Sequence, residues 1–166
     1  MPDGLAHTSA SVAIAWSPWM IWMANNVLPI IPAVTLEFTV GISIGAIAGI
    51  LINPDLDLAE RTYGKGIVYR SNGLVGAAWA LLWWPYSQVV SHRSILSHGP
   101  IIGTIIRLGY MVSVPLLVWT LLAGAFHWPA APAIQLVVWW MLHQGRWCVI
   151  GLAMSDAAHW AMDNTF

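Results

Sequence analysis

Long apolar segments separated by short polar ones run through most of this chain, and four of them approach membrane length. They cover residues 11–31, 36–52, 101–126 and 133–158. Because a helix rises about 1.5 Å per residue and about 20 apolar residues cross the hydrocarbon core, each segment is predicted to form a transmembrane helix. Short turns join the first pair and the last pair, so the pattern predicts two helical hairpins.

The second of these segments carries glycines at intervals of four residues. Gly41, Gly45 and Gly49 fall on one stripe of a helix. Small residues on one stripe allow the backbone of a neighbouring helix to approach closely. We therefore expect this helix to pack at the centre of the protein.

Residues 74–90 form a fifth apolar segment with a different composition. It contains Trp79, Trp83, Trp84, Pro85 and Tyr86. Aromatic residues with a proline favour an interfacial or re-entrant helix over a full span. The predicted fold is therefore an all-α integral membrane protein, with one domain over residues 1–166, four transmembrane helices in two hairpins and one interfacial or re-entrant helix.

The composition agrees with a membrane environment. Hydrophobic residues make up 58% of the chain, charged residues only 8%, and the mean hydropathy is +0.70. The net charge is −1 and the basic residues are scattered, which argues against a nucleic-acid partner. The expected partners are membrane lipids, and a homo-oligomer or a subunit of a membrane complex remains open. A single cysteine, Cys148, gives no internal disulfide and no thiol metal site.

The few aspartates and histidines are grouped at the ends of the apolar segments. The groups are Asp55 with Asp57, His92 with His98, Asp156 with His159 and Asp163, and His7 as a fourth contributor. Carboxylate and imidazole donors beside membrane-length segments favour a bound divalent metal. If residues 66–90 do not cross the membrane, both hairpins return the chain to one face and all four groups converge there. If they do cross, a single site is excluded, so convergence favours the interfacial helix.

The local spacings agree with a shared ion. Asp156, His159 and Asp163 are related as i, i+3 and i+7 and share one stripe of a helix. His92 and His98 are six residues apart, and the Gly-Pro pair that follows indicates a loop able to turn both inward. All five side chains are therefore predicted metal ligands.

Pro54 favours a turn in which Asp55 and Asp57 diverge. One carboxylate, with Asp57 preferred, is expected to bind the ion while the other orients a partner. The connection on the same face carries four basic residues, Arg61, Lys65, Arg70 and Arg93. The positive-inside tendency makes this face cytoplasmic.

Three motifs carry a family resemblance. Residues 54–58 (Pro-Asp-Leu-Asp-Leu), 83–86 (Trp-Trp-Pro-Tyr) and 92–104, with the opening residues 2–7, resemble a bacterial family of predicted metal-binding membrane proteins best known from cyanobacteria. The order histidine, Pro-Asp-x-Asp, His-Arg…Ser-His and His-x-x-x-Asp is more distantly similar to the LexA-regulated, predicted membrane-bound metal-dependent hydrolases. The resemblance implies metal binding and leaves hydrolysis as one possible activity. The expected location is a bacterial inner membrane or a thylakoid membrane.

The leading hypothesis is a membrane-embedded, metal-dependent hydrolase that cleaves an ester or phosphoester of a lipid-like substrate. The ion, with Zn²⁺ as first choice and Mn²⁺ or Fe²⁺ as alternatives, in one or two copies, would lower the pKa of a bound water. Asp55 or Asp156 is the expected general base. Arg93 or Arg107 is expected to stabilise developing negative charge.

A non-catalytic scaffold or assembly subunit, whose metal clamps the hairpins together, is the alternative. A closed, fully protein-ligated ion would indicate the scaffold, and an open coordination position would indicate the hydrolase. The simplest competing interpretation is that these polar residues only cap helices and meet lipid headgroups.

Overall fold

A computed structural model describes residues 4–27, 34–57, 73–92, 94–129, 131–143 and 145–165. All regular elements in these ranges are helical, which confirms the all-α prediction for the part of the chain they cover. They are α1 Gly4–Val27, α2 Leu36–Leu51, a 3₁₀ turn Pro54–Asp57, α3 Gly73–Val89, α4 Ile95–His98, α5 Ile102–Phe126, α6 Ala131–His143 and α7 Gly145–Thr165. The basic residues that predict a cytoplasmic face, Arg61, Lys65, Arg70 and Arg93, lie outside the described ranges.

The closest helix contact joins α2 and α7 along the predicted glycine stripe. A β-carbon at Gly45 would overlap the carbonyl group of Cys148, and one at Gly49 would overlap the side chain of Ser155. Contacts move forward along both helices together, so α2 and α7 are parallel. The prediction that the glycines admit a neighbouring backbone is confirmed, and both helices end on the same side of the molecule.

Helix α1 lies antiparallel to this pair and is joined to it by buried hydroxyl groups. The Ser43 hydroxyl donates to the Ala15 carbonyl at 2.6 Å. The hydroxyls of Ser11 and Ser155 are hydrogen-bonded at 2.7 Å. Small polar side chains are effective at such contacts because they bond across helices without separating the backbones. The three helices form the central bundle.

Helix α3 packs against the 3₁₀ turn and the first half of α5. The buried apolar cluster there contains Ile52, Leu56, Trp83, Tyr86, Val90 and Leu152. The Tyr110 hydroxyl of α5 donates to the Leu82 carbonyl of α3. The cluster holds the turn after α2 in place, and this turn carries Asp55.

The first helix begins earlier than the hydrophobic pattern predicts, at Gly4 rather than at residue 11. Its first turns contain polar side chains, and the Ser9 hydroxyl donates back to the Leu5 carbonyl at 2.8 Å. Hydropathy marks where apolar surface begins, whereas a helix continues as long as its backbone hydrogen bonds do. The extension brings His7 onto α1.

The predicted last span, residues 133–158, is divided between two helices. Helix α6 ends at His143 and α7 begins at Gly145. Gly145 is buried against Trp140, and a β-carbon there would lie 2.9 Å from the indole ring. Beyond this point α7 packs on α2, while most α6 side chains are exposed.

Two helical segments among the described residues are long and apolar enough to cross a membrane, Leu36–Leu56 and Ile102–Phe126. The prediction of four spans is not supported. Helix α6 has 13 residues and rises only about 20 Å, less than the hydrocarbon core of about 30 Å. Helices α1 and α7 are long enough but carry polar side chains in several turns.

Candidate metal centre

Three separate parts of the chain supply a compact group of carboxylates and imidazoles. Asp55 lies in the 3₁₀ turn after α2, and His98 is the last residue of the one-turn helix α4. His159 and Asp163 are one turn apart near the end of α7. The group lies at one end of the molecule because α2 and α7 both end there and α5 begins there.

One donor atom from each of these four side chains lies within 4.8 Å of the other three. His159 Nε2 is 3.2 Å from Asp163 Oδ2 and 3.6 Å from Asp55 Oδ2. His98 Nε2 is 3.4 Å from Asp55 Oδ1 and 3.8 Å from Asp163 Oδ2. Each imidazole nitrogen therefore faces both carboxylates.

These separations fit ligands of one ion. Atoms bonded to a tetrahedral zinc at about 2.1 Å lie about 3.4 Å apart. The buried His159 Nε2 makes no hydrogen bond within the described part of the chain, although two carboxylates lie close to it. An imidazole nitrogen that faces two carboxylates in this way is placed to share a cation with them. Imidazole and carboxylate donors without thiolate suit Zn²⁺, Mn²⁺ or Fe²⁺.

The charges of the group also fit a cation. Ionised Asp55 and Asp163 bring two negative charges together, which is unfavourable unless a positive charge offsets them. Of the two arginines that the structure describes, Arg107 bonds to Asp156, and Arg146 lies over the Trp147 ring at 5.0 Å. Neither of these two arginines neutralises the two carboxylates. A divalent ion bound between the carboxylates would offset both charges.

Within the described part of the chain, the group is more exposed on one side. The histidine side chains are only 7% and 6% exposed, whereas Asp163 is 16% and Asp55 27% exposed. The imidazoles thus form a buried floor, and the carboxylates lie towards solvent. Asp55 is the donor most accessible to an incoming molecule.

Arg107 and Asp156 form a buried ion pair behind the group. The Arg107 guanidinium donates to the Asp156 carboxylate and to the Ser97 carbonyl. The Thr104 hydroxyl lies between the same carboxylate and the Pro100 carbonyl. Asp156, a predicted ligand, is therefore placed outside the four-residue group. Arg107, which was expected to stabilise developing charge, is fully buried and paired with Asp156. Pairing two buried charges costs less than leaving either alone.

Two further histidines border the group. The His7 ring stacks on the His159 ring at a centroid distance of 3.8 Å, and its Nε2 is 3.3 Å from Asp163 Oδ1. The exposed His92 lies edge-on to His98, with the ring centroids 5.0 Å apart. Both predicted ligands are thus neighbours of the four residues. The Asp57 side chain and Arg93 lie outside what the structure describes.

Sequence reasoning favoured Asp57 over Asp55 and gave no role to Ser97 or Thr104. The structure brings Asp55 into the group, with its carboxylate between the two imidazoles. The Ser97 hydroxyl is 2.8 Å from His98 Nδ1. The adjacency of Ser97 and His98 in the sequence could have predicted this contact, since histidine ligands commonly have a polar partner on the second ring nitrogen.

Comparisons with known proteins bear on the chemistry of this group. No protein of curated function and no solved structure matches the chain. A model of the family described as "Uncharacterized metal-binding protein (DUF2227)" matches residues 2–166, and the chain therefore belongs to this family of metal-binding proteins.

Proposed function

We propose that the protein is a membrane-embedded, divalent-metal-dependent hydrolase that cleaves an ester or phosphoester bond at the membrane face. The observation that carries the proposal is the half-open group of two imidazoles and two carboxylates. Membership of a metal-binding family supports the ion. Structural zinc sites are mostly built from cysteine thiolates, whereas histidine with carboxylate is typical of catalytic sites.

In this proposal His98, His159 and Asp163 hold the ion, and Asp55 is the general base. A bound divalent ion would supply Lewis acidity and make water more acidic near neutral pH. Asp55 is the most exposed of the four donors and lies within 3.6 Å of both imidazoles. A carboxylate in that position can take a proton from water that enters from the open side. Zn²⁺ remains the first choice.

The membrane setting is proposed from the two apolar segments. Asp55 follows α2 and His98 precedes α5, so the donor group lies at the ends of both candidate spans. The group would then lie at headgroup depth on one face. The basic residues 61, 65 and 70 favour the cytoplasmic face, in a bacterial inner membrane or a thylakoid membrane.

A lipid-like substrate is proposed from the side chains beside His98. Ile95, Leu96, Ile101 and Ile102 are large, apolar and exposed. An apolar border next to a polar donor group suits a molecule with acyl chains and a hydrolysable headgroup. A soluble metabolite has no acyl chain that could pack against this apolar border.

The competing proposal is a non-catalytic scaffold, and one observation favours it. The four donors come from three parts of the chain and could fill every position of a tetrahedral ion. Such a closed site would join the central bundle to α4 and α5 without binding substrate. Under the hydrolase proposal, His98, His159 and Asp163 must hold the ion without Asp55.

The two proposals differ in the behaviour of Asp55→Asn. For the hydrolase, the purified variant keeps its metal content but loses at least about 100-fold in rate on the best substrate in a screen of carboxylesters and phosphoesters. For the scaffold, metal content falls and wild-type protein with a filled site remains inactive throughout the screen. Glu37→Gln is the matched control, because Glu37 is an exposed acid in the first turn of α2, at the other end of that helix.

A further inference from the structure

The Ser97 hydroxyl has more neighbours than it has protons. Its oxygen lies 3.2 Å from the Ser91 carbonyl and 3.2 Å from the Ser94 carbonyl. It also lies 2.8 Å from Nδ1 of His98. A hydroxyl has one proton to donate and two lone pairs to accept with, and carbonyl oxygens only accept. The hydroxyl can therefore donate its proton to one of these carbonyls and accept a proton from Nδ1–H of His98 through a lone pair.

In that arrangement the hydroxyl would decide which nitrogen of the His98 ring carries the proton. If the Ser97 proton is directed at a carbonyl, the short contact to Nδ1 requires that Nδ1–H donates to the hydroxyl oxygen. In a neutral imidazole the other nitrogen then carries no proton and can bind a cation through its lone pair. That nitrogen, Nε2, is the one that faces Asp55 and Asp163.

We propose that Ser97 is a positioning residue, which selects the His98 tautomer able to bind a cation through Nε2. The role rests on the proposed metal site and adds the means by which one of its ligands is prepared. Histidines that bind metals commonly donate their second ring N–H to a nearby oxygen, and this partner sets both tautomer and ring orientation. Ser97 supplies that oxygen here.

The position of Ser97 is itself fixed by the buried ion pair. Helix α4 has four residues, and a single turn of helix is unstable without outside contacts. Arg107 donates to the Ser97 carbonyl and to Asp156, which lies three residues before His159 on α7. Ser97 and Arg107 have no exposed surface, and Asp156 has 1%. The pair therefore links the two elements that carry the histidines.

The test measures the His98 tautomer and zinc binding separately. Protein labelled with ¹⁵N-histidine is studied in detergent without metal, at a pH where imidazole is neutral, by spectra that correlate ring nitrogens with ring protons. His98→Asn identifies the His98 signals. Wild-type protein is expected to carry the proton on Nδ1, and Ser97→Ala to shift towards the Nε2–H form. Zinc affinity is expected to fall about 10-fold in Ser97→Ala, the lower end of the effect of losing such a partner.

Ser87→Ala is the control, because Ser87 lies on α3 and its hydroxyl bonds to the carbonyl of Trp84. An Nε2–H tautomer in wild-type protein overturns the inference even if Ser97→Ala fails to fold. Unchanged tautomer and zinc affinity in a folded Ser97→Ala protein also overturn it, and leave the metal site standing. Wild-type protein that binds no zinc, manganese or iron overturns the metal site and with it the role of Ser97.

Discussion

The two histidines of the donor group are held in different ways. His159 shares α7 with Asp163, one helical turn away, so their spacing is kept wherever that helix forms. His98 lies at the end of a four-residue helix and relies on contacts from Ser97 and Arg107. Substitutions of the residues that hold His98 should therefore weaken metal binding without removing a ligand.

Loss of His159 should empty the site. His159→Ala removes an imidazole that faces both carboxylates, and we expect bound metal per chain to fall from near one to near zero. Elemental analysis of protein purified with added zinc measures this. The matched variant is His143→Ala, since His143 is exposed and bonds to the Trp139 carbonyl of its own helix. Equal metal content in the two variants would exclude His159 as a ligand.

Breaking the buried ion pair should lower the free energy of unfolding strongly, and removing the second charge as well should recover part of that loss. Arg107→Met leaves the Asp156 carboxylate buried without its partner, and we expect the free energy of unfolding to fall by about 3 kcal/mol or more. The double variant Arg107→Met with Asp156→Leu removes both charges and should recover part of that loss. Denaturation in detergent, followed by circular dichroism, gives the values. Additive losses in the double variant would show that the two side chains do not act as a pair.

Spacing alone could predict that Asp156, His159 and Asp163 share one stripe of a helix. It could not predict which of the three lie in the same donor group. Asp156 lies about 10 Å deeper along α7 than Asp163, at about 1.5 Å per residue. At that depth it meets Arg107 of α5, a partner that only the tertiary packing reveals. Asp55 and Asp57 are two residues apart in a turn, and a periodic pattern gives no reason to place Asp55 in the donor group.

At the scale of helices, the sequence predicts close packing well and helix boundaries poorly. Glycines at intervals of four predict an approach whatever the partner, and α7 supplies that partner. The division between α6 and α7 falls where residues 143–146 read His-Gln-Gly-Arg, a polar break with a glycine that hydropathy averaged over the whole segment does not detect. It is set by the fit of Gly145 against Trp140 and by the packing of α7 on α2. Neither contact can be deduced from hydropathy.

The α2–α7 contact should tolerate no added carbon at its centre. Gly45→Ala would place a β-carbon onto the Cys148 carbonyl, and we expect a loss of about 1–3 kcal/mol from forced separation of the helices. Gly109→Ala is the matched control, since nothing lies within 4 Å of its added carbon, and alanine favours a helix over glycine. Thermal unfolding of both variants compares them. A Gly45→Ala protein as stable as Gly109→Ala would mean that the two helices are not in close contact.

At the scale of the whole molecule, reversal of the chain was enough to predict that distant polar groups meet. It was not enough to predict how many helices cross the membrane. Each reversal returns the chain to one end, and the structure brings Asp55, His98 and His159 together there. Hydropathy does not separate these long apolar segments, because a helix that packs on protein and one that faces lipid can have similar composition. Exposure separates them, because α5 presents most of its apolar side chains outward while α2 is partly covered.

The membrane setting makes a direct prediction about the two ends of α5. This helix has 25 residues and is about 37 Å long, so its ends should lie on opposite sides of the bilayer. In a Cys148→Ser background, Leu96→Cys beside the donor group and His127→Cys after α5 are labelled with a membrane-impermeant maleimide in sealed, oriented vesicles. Each cysteine should react from one side only, and the two sides should differ. Reaction of both from the same side would show that α5 does not cross, and the proposed lipid substrate would lose its support, while the donor group itself would remain.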